Sequence, residues 1–213
     1  LLENGVKVGN LTEELNVVTE ITEFKSDEWF DGHFREIMGD DRIDFAKTVT
    51  FLKPEQKKSD NPFFEEEEGL DYKYIKEHWY QSYWGRLISW KGEFNQIENV
   101  IKILSKGQAV KRCELIIFDP TKDARNPYSQ PCMCMIDLKP RNGKLYLTSV
   151  RRSNRVSKSG YADYTALTEM GHFLSEQSGL ELGKVTTLAC SCHIGDMDSE
   201  KKKTIKLLEV LGK

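Results

Sequence analysis

The fold is decided by residues 126–193, which read NPYSQPCMCMIDLKPRNGKLYLTSVRRSNRVSKSGYADYTALTEMGHFLSEQSGLELGKVTTLACSCH. Two strand-like runs lie near the start of this stretch, at Met133–Leu138 and Lys144–Val150. The connection between them ends in Asn142-Gly143, a pair that favours a tight hairpin turn because both residues tolerate a positive φ. The pattern therefore predicts two adjacent antiparallel strands.

A helix and a further strand follow the predicted hairpin. Asp163–Gln177 has apolar residues at helical spacing, and Gly179 is placed to end the helix. Val185–Cys192 consists of β-branched and small residues, which are typical of a strand. Because strands and helices are mixed without strict alternation, we expect an α+β fold.

The rest of the chain carries weaker patterns within what we expect to be a single domain over residues 1–213. The acidic, proline-containing stretch 53–69 is typical of a flexible, solvated loop. Aromatic residues crowd 72–90, where they would form core or pocket wall. Further elements are predicted at Leu15–Ile21 (a strand after a short helix end and a turn), Asp27–Leu52 (helical pieces), Phe94–Leu104 (a helix capped by Gly107), Glu114–Phe118 (a strand) and Ser199–Leu211 (a helix with Ser199 as N-cap).

Composition and charge exclude several function classes. The chain has 213 residues and a formal net charge of -3, so no overall basic field attracts nucleic acid. No apolar run approaches the roughly 20 residues that span a membrane, and no signal-peptide pattern is present. Four of the five cysteines form two Cys-x-Cys pairs, and this odd, clustered set is unlike a secreted disulfide framework. We therefore expect a cytoplasmic protein.

Cys132 is the candidate nucleophile. A reactive thiol needs access and nearby cations that stabilise the thiolate. Arg151, Arg152, Arg155 and His193 could provide such cations if the fold brings them together. The alternative is that Cys132 is a small buried apolar residue.

Two basic pairs are candidates for phosphate binding. In Arg151-Arg152-Ser153, a guanidinium fork can bind two phosphate oxygens while the hydroxyl adds a third bond. Lys111-Arg112 is the second pair. The alternative for both pairs is ordinary surface charge.

The cysteine pairs also raise the possibility of zinc. Residues two apart on a strand point to the same face, so Cys132 with Cys134, or Cys190 with Cys192, could face one site beside His193. Structural zinc sites more often have two to four residues between their cysteines. We therefore favour a thiol without a metal.

At these residues the chain resembles the thymidylate synthase superfamily, including its pyrimidine nucleotide hydroxymethylase branch. The resemblance is strongest over residues 83–193. It is carried by Pro131-Cys132, Gly143-Lys144-Leu145, Arg152-Ser153, the helix Asp163–Gln177 and the turn Gly179-Leu180-Glu181-x-Gly183, and it ends at His193. The resemblance implies a mixed sheet with flanking helices, and a protein that forms dimers through this sheet.

The resemblance also implies roles for individual residues and for the partners of the chain. Cys132 looks like the thiolate that adds to C6 of a pyrimidine nucleoside monophosphate, and Tyr83 falls where the family has a pocket tyrosine. The usual one-carbon donor is 5,10-methylenetetrahydrofolate. A homodimer follows because two phosphate ligands come from the second subunit. The substrate ligands implied are Arg152, Ser153, Lys111 and Arg112 for the phosphate and His193 for the ribose.

Asp163 stands where thymidylate synthases carry an asparagine that reads uracil, and the similar cytosine-specific hydroxymethylases carry an aspartate there. A carboxylate accepts a hydrogen bond from the exocyclic amine of cytosine, whereas the carbonyl of uracil would repel it. The resemblance therefore favours a cytidylate substrate over a uridylate one, and a methyl or hydroxymethyl transfer to C5.

Departures from the family pattern keep a second interpretation open. Met133 and Gly195 stand where the family has a histidine and a tyrosine, and Lys47 aligns with its proton-managing glutamate. Two further features of the family have no counterpart in residues 1–213: the Arg-x-Gly-Thr phosphate loop near the N-terminus and the C-terminal segment that closes over folate. The alternative to a one-carbon transferase is therefore a nucleotide-binding homologue without folate-dependent activity.

Overall fold

The computed structural model describes residues 5–22, 36, 80, 82–106, 110–125, 130–195 and 198–210. Within these residues, seven strands form one mixed sheet in the order β1-β2-β7-β5-β4-β3, with β6 pairing only with β7. The strands are β1 (Val6–Val8), β2 (Leu11–Ile21), β3 (Glu114–Ile116), β4 (Met133–Arg141), β5 (Lys144–Arg151), β6 (Asn154–Arg155) and β7 (Glu181–Gly195). The helices are α1 (Tyr83–Ile88), α2 (Gln96–Leu104), α3 (Tyr161–Ser178) and α4 (Asp198–Val210).

The predicted hairpin lies at the centre of the sheet. β4 and β5 pair antiparallel, with Arg141 opposite Lys144 and Leu138 opposite Leu147. The turn residues Asn142 and Gly143 have φ of 52° and 75°, the values that an Asn-Gly hairpin turn requires. Strand β5 then pairs parallel with β7, and β2 pairs antiparallel with β7. The mixed sheet expected from the resemblance is confirmed.

Helix α3 covers one face of this sheet. It packs against β7 and β5, while α2 packs beside it. Gly179 ends the helix at φ 71°, as the sequence predicts. The approach is close at Gly171, where a Cβ atom would lie 2.9 Å from Leu182 Cδ1 on β7. A side chain at this position would therefore push the helix off the sheet.

Alternation along β5 decides which side chains meet α3. Leu145, Leu147, Ser149 and Arg151 are fully or almost fully buried on the covered side, whereas Arg152 is exposed. Successive side chains of a strand point to opposite faces. The last of the buried side chains on β5 is therefore Arg151, whose charge lies inside the protein.

Some predicted elements differ in the structure. The first strand pair begins at Val6, where a helix end was expected, and Leu11–Ile21 is longer than predicted because Gly9, at φ 57°, turns the chain into a hairpin. The C-terminal helix begins at Asp198, so Ser199 lies inside it and is not its N-cap. Helix α2 is confirmed, but it begins after the N-cap Asn95. Gly107 and the stretches 27–35, 37–52 and 53–69 lie outside the described residues. In the described part of the chain, no helix is long and apolar enough to cross a membrane.

Candidate active site

Cys132 and Arg152 meet at the edge where β4 begins and β5 ends. Arg152 Nη2 lies 3.9 Å from Cys132 Sγ, and the thiol is half-buried. Two further hydrogen bonds hold the guanidinium: Nε donates to the Pro131 carbonyl at 3.0 Å and Nη2 to the Gln130 carbonyl at 2.8 Å. The backbone N–H of Arg152 also donates to the Cys132 carbonyl at 2.9 Å. The thiol therefore has access to solvent and a fixed cation beside it, which a nucleophilic cysteine requires.

Tyr83, from α1, fixes the backbone of the same cysteine. Its phenolic oxygen accepts hydrogen bonds from the N–H groups of Cys132, at 3.1 Å, and Met133, at 3.3 Å. Burial, opposed in part by the positive charge of Arg151, raises the pKa of Tyr83 to about 12. The phenol is therefore neutral at physiological pH, and it keeps a proton that it can donate.

Arg151 points the other way and pairs with Asp163 in the first turn of α3. Arg151 Nη1 donates to Asp163 Oδ2 at 2.5 Å, and the two side chains are 1% and 11% exposed. The expectation that Arg151 and Arg152 form one phosphate-binding pair is therefore wrong for Arg151, because strand alternation places them on opposite faces. The charge of Arg151 nevertheless acts on Tyr83 and Cys132 from inside the protein.

Ser153 and His193 lie together on the side of the site nearer to β7. Ser153 Oγ is 3.5 Å from His193 Nδ1, which is the outer limit of a hydrogen bond. Burial, and then the positive charges of Arg155 and Arg152, lower the pKa of His193. The imidazole is therefore neutral at physiological pH, and its nitrogens can accept from or donate to a hydroxyl group.

Arg155 does not join the cations around Cys132 as expected. Its guanidinium forms an ion pair with Glu200 of α4, and the same carboxylate accepts from the Ser157 hydroxyl and, at 3.0 Å, from the Gly195 N–H. Glu200 was not foreseen as a site residue. Its only sequence signal is that it is an acidic residue near the start of a predicted helix.

Lys111 and Arg112 lie far from Cys132 within one chain. They are exposed and precede β3, and the neighbouring Cys113 carbonyl accepts from the Leu138 N–H at 2.8 Å. Leu138 is six residues along from Cys132, or about 20 Å in an extended strand. A single chain therefore does not bring this basic pair to the thiol.

The two Cys-x-Cys pairs do not come together as a group of metal-ligand side chains. All five cysteines are free thiols, of which Cys113 and Cys192 are buried and Cys190 is exposed. Across the ranges that the structure describes, no three His, Cys, Asp or Glu side chains could together hold a metal ion.

Comparisons with known proteins bear on the family and the fold of the chain. The family model described as thymidylate synthase matches residues 28–206. A protein of Methanococcoides burtonii named "Putative thymidylate synthase" is 32% identical over 126 residues, which cover 59% of this chain and 58% of that protein. Its namesake in Methanosarcina mazei is 32% identical over 124 residues, covering 58% and 57%. The chain thus matches a little more than half the length of these relatives.

The fold has a counterpart among solved structures. The crystal structure of thymidylate synthase from T4 phage superposes with a TM-score of 0.56 at 16% identity, covering 92% of this chain and 71% of that one. At this identity the likeness bears on the fold alone. The match of the family model to most of the sequence goes further, and it shows that the chain belongs to the thymidylate synthase family.

Proposed function

We propose that the protein transfers a one-carbon unit to C5 of a pyrimidine nucleoside monophosphate, with Cys132 as the covalent catalyst. One observation carries the proposal: a half-buried, solvent-reachable thiol lies 3.9 Å from the guanidinium of Arg152, and its backbone is fixed by Tyr83. Membership of the thymidylate synthase family supports the same chemistry.

The thiolate of Cys132 would add to C6 of the base, and the electron pair of the C5–C6 double bond would make C5 nucleophilic. C5 then attacks the one-carbon donor. Loss of the C5 proton would then expel the donor's nitrogen and leave an exocyclic methylene group on C5. Addition of water, giving hydroxymethyl, or of hydride from the reduced donor, giving methyl, together with elimination of the thiolate, would restore the C5–C6 double bond and free the enzyme. The neutral phenol of Tyr83 holds the segment that carries the thiol and can donate a proton toward the base.

The resemblance suggests the substrate ligands, and the positions of Arg152, Ser153 and His193 around the thiol support them. Arg152 and Ser153 would bind the phosphate, since a guanidinium and a hydroxyl offer charge and donors together. His193 would bind a ribose hydroxyl with its neutral ring. Asp163 would accept a hydrogen bond from the exocyclic amine of cytosine, so the proposed substrate is a cytidylate rather than a uridylate.

The one-carbon donor is proposed to be 5,10-methylenetetrahydrofolate, a co-substrate that supplies a carbon at the oxidation level of formaldehyde. Membership of the thymidylate synthase family supports this donor. Trp84, next to Tyr83, packs in the core with 4% of its surface exposed, so its ring is not open to the donor.

A second copy of the chain would complete the phosphate site. Lys111 and Arg112 are exposed and lie too far from Cys132 to act within their own subunit. On the face of the sheet away from α3, Tyr146 of β5 and Cys190 of β7 are exposed in the single chain, as a face that pairs with another copy would be. The proposed assembly is a homodimer with two shared sites.

The proposal is tested with dCMP, CMP, dUMP and UMP. We expect calorimetric titration to show tighter binding of a cytidylate, and hydrogen exchange at C5 to depend on the thiol. Cys132→Ser should abolish exchange while nucleotide binding remains, and Cys134→Ser, a change at the half-buried thiol two residues along, should leave both intact. Exchange by Cys132→Ser at the wild-type rate would refute covalent catalysis. Binding without exchange in the wild type would instead identify a nucleotide-binding homologue.

Subunit sharing has its own test. Cys132→Ser and Arg112→Ala homodimers are each expected to be nearly inactive. If the sites are shared, random exchange of their subunits gives heterodimers that each retain one intact site, and about a quarter of wild-type activity returns. No recovery after demonstrated subunit exchange would show that Arg112 does not act in the partner's site.

A further inference from the structure

The described part of the chain contains two buried arginine–aspartate pairs, and they differ in how completely they are satisfied. Arg86 donates from Nη1 and Nη2 to the two oxygens of Asp123, at 2.6 and 2.9 Å, and from Nε to the Tyr80 carbonyl at 3.1 Å. Arg151 Nη1 makes one hydrogen bond to Asp163 and a long one, at 3.5 Å, to Asn154 Oδ1, whereas its Nε and Nη2 have no hydrogen-bond partner. The Arg86–Asp123 pair therefore has the geometry of an ion pair that stabilises the fold.

The contrast extends to the carboxylates. Both oxygens of Asp123 are occupied, and Oδ2 also accepts from the Asp119 N–H at 2.7 Å. Asp163 Oδ2 accepts from Arg151, whereas Asp163 Oδ1 has no hydrogen-bond partner among the described residues. Asp163 Oδ1 is not among the fully buried atoms that lack a partner, and the side chain keeps some exposed surface, so this oxygen can be reached by a donor from outside the ion pair. Asp163 therefore has one oxygen open to a further hydrogen bond.

The positions of the two side chains show from which side that donor comes. Arg151 is only 1% exposed and lies behind Asp163, which keeps 11% of its side-chain surface exposed. The pair also adjoins the chemistry, because the charge of Arg151 acts on Tyr83 and Cys132. Arg151 itself has too little exposed surface to touch a ligand. It can act on one only through Asp163.

We propose that Arg151 is a positioning residue for base selection: its hydrogen bond to Asp163 Oδ2 fixes the carboxylate as an acceptor, with the open oxygen turned toward an exocyclic amine. The inference rests on the proposed function, since it assumes that a pyrimidine base lies beside Cys132. It assigns the choice between cytosine and uracil to the ion pair rather than to Asp163 alone. Without Arg151, the carboxylate of Asp163 is no longer held in one orientation, so it neither accepts reliably from the amine of cytosine nor stands against the carbonyl of uracil.

The test measures dissociation constants for dCMP and dUMP by calorimetry in four proteins: wild type, Arg151→Gln, Arg151→Lys and Asp163→Asn. We expect Arg151→Gln to reduce the preference for dCMP about tenfold or more while dUMP binding is kept or improved. Lysine keeps the charge with fewer donors, so Arg151→Lys should restore part of the preference. Arg141→Gln, at the far end of β4, is the matched control and should leave the preference unchanged.

The outcomes separate this inference from the proposed function. If the wild type binds neither nucleotide, the proposed function fails and this inference fails with it. Suppose instead that the wild type prefers dCMP. If Arg151→Gln keeps that preference, or weakens the binding of dCMP and dUMP equally, only the inference is overturned. Thermal melting checks that each variant is folded. If Arg151→Gln does not fold, a double-mutant cycle of Arg151→Lys and Asp163→Asn provides the test. A positioning role predicts that the effects of the two changes on the preference for dCMP are non-additive, and additive effects would contradict it.

Discussion

Replacing Glu200 by glutamine should destabilise the protein at neutral pH, and the effect should fade in acid. Glu200 is 7% exposed and accepts hydrogen bonds from Arg155, Ser157 and Gly195. Burial alone would raise the pKa of this carboxylate, but these three donors lower it from 4.5 to about 2. The same bonds tie α4 to the end of β7, so the loss would loosen the end of the strand that carries His193.

The size of this destabilisation follows from the shift in the pKa of Glu200. A displacement from 4.5 to about 2 corresponds to roughly 3 kcal/mol of stability. Because the pKa is lower in the folded state than in the unfolded chain, this contribution is fully present above pH 4.5 and is lost as the pH falls toward 2. Glutamine carries no charge, so the Glu200→Gln variant lacks the contribution at every pH.

Urea unfolding of both proteins at several values between about pH 7 and pH 3 measures the difference directly. The difference should be near its full size at pH 7 and should shrink below pH 4.5. His193 is present in both proteins, so its titration cancels. Glu93→Gln, at an exposed turn position, is the control and should have little effect. A difference that stays constant down to pH 3 would refute the reasoning.

Three further predictions concern the same region. Tyr83→Phe leaves two partly buried backbone N–H groups without their acceptor and should cost about 1–3 kcal/mol in urea unfolding. Because these bonds fix the backbone of Cys132, alkylation of the Cys132 thiol should also change. Gly195→Ala places a Cβ atom into the contact of Arg155 with Glu200, so its destabilisation should be non-additive with Glu200→Gln in a double-mutant cycle. The lowered pKa of His193 means that its contribution to stability is present above pH 6.5 and is lost as the pH falls through the folded value. His193→Gln should therefore flatten the loss of stability just below neutrality, and an unchanged slope would contradict this.

Local sequence patterns sufficed for the elements that form within short stretches of chain. The hairpin followed from Asn142-Gly143 and the end of α3 from Gly179, because each glycine adopts a backbone conformation that few other residues tolerate. The resemblance around Pro131-Cys132 added the correct fold. These predictions needed only neighbours in sequence or a familiar motif.

The contacts that shape the candidate site were not predictable in the same way. Arg151 meets Asp163 twelve residues away, and Arg155 meets Glu200 forty-five residues away. Whether such side chains meet depends on the register of β5 against β7 and on the placement of α3 and α4. Charge and spacing in the sequence do not determine the strand register or the placement of the helices. For this reason, the two adjacent arginines suggested a single phosphate-binding site.

Strand alternation gives the two adjacent arginines different surroundings at the end of β5. Arg152 turns outward and binds the carbonyls of Gln130 and Pro131 beside the thiol, whereas Arg151 turns inward and binds Asp163. A slip of one residue in the pairing of β5 would exchange the two faces, burying Arg152 and exposing Arg151. The Asn142-Gly143 turn sets this register between β4 and β5. The hairpin that determines the fold therefore also determines which arginine faces the thiol and which holds the carboxylate.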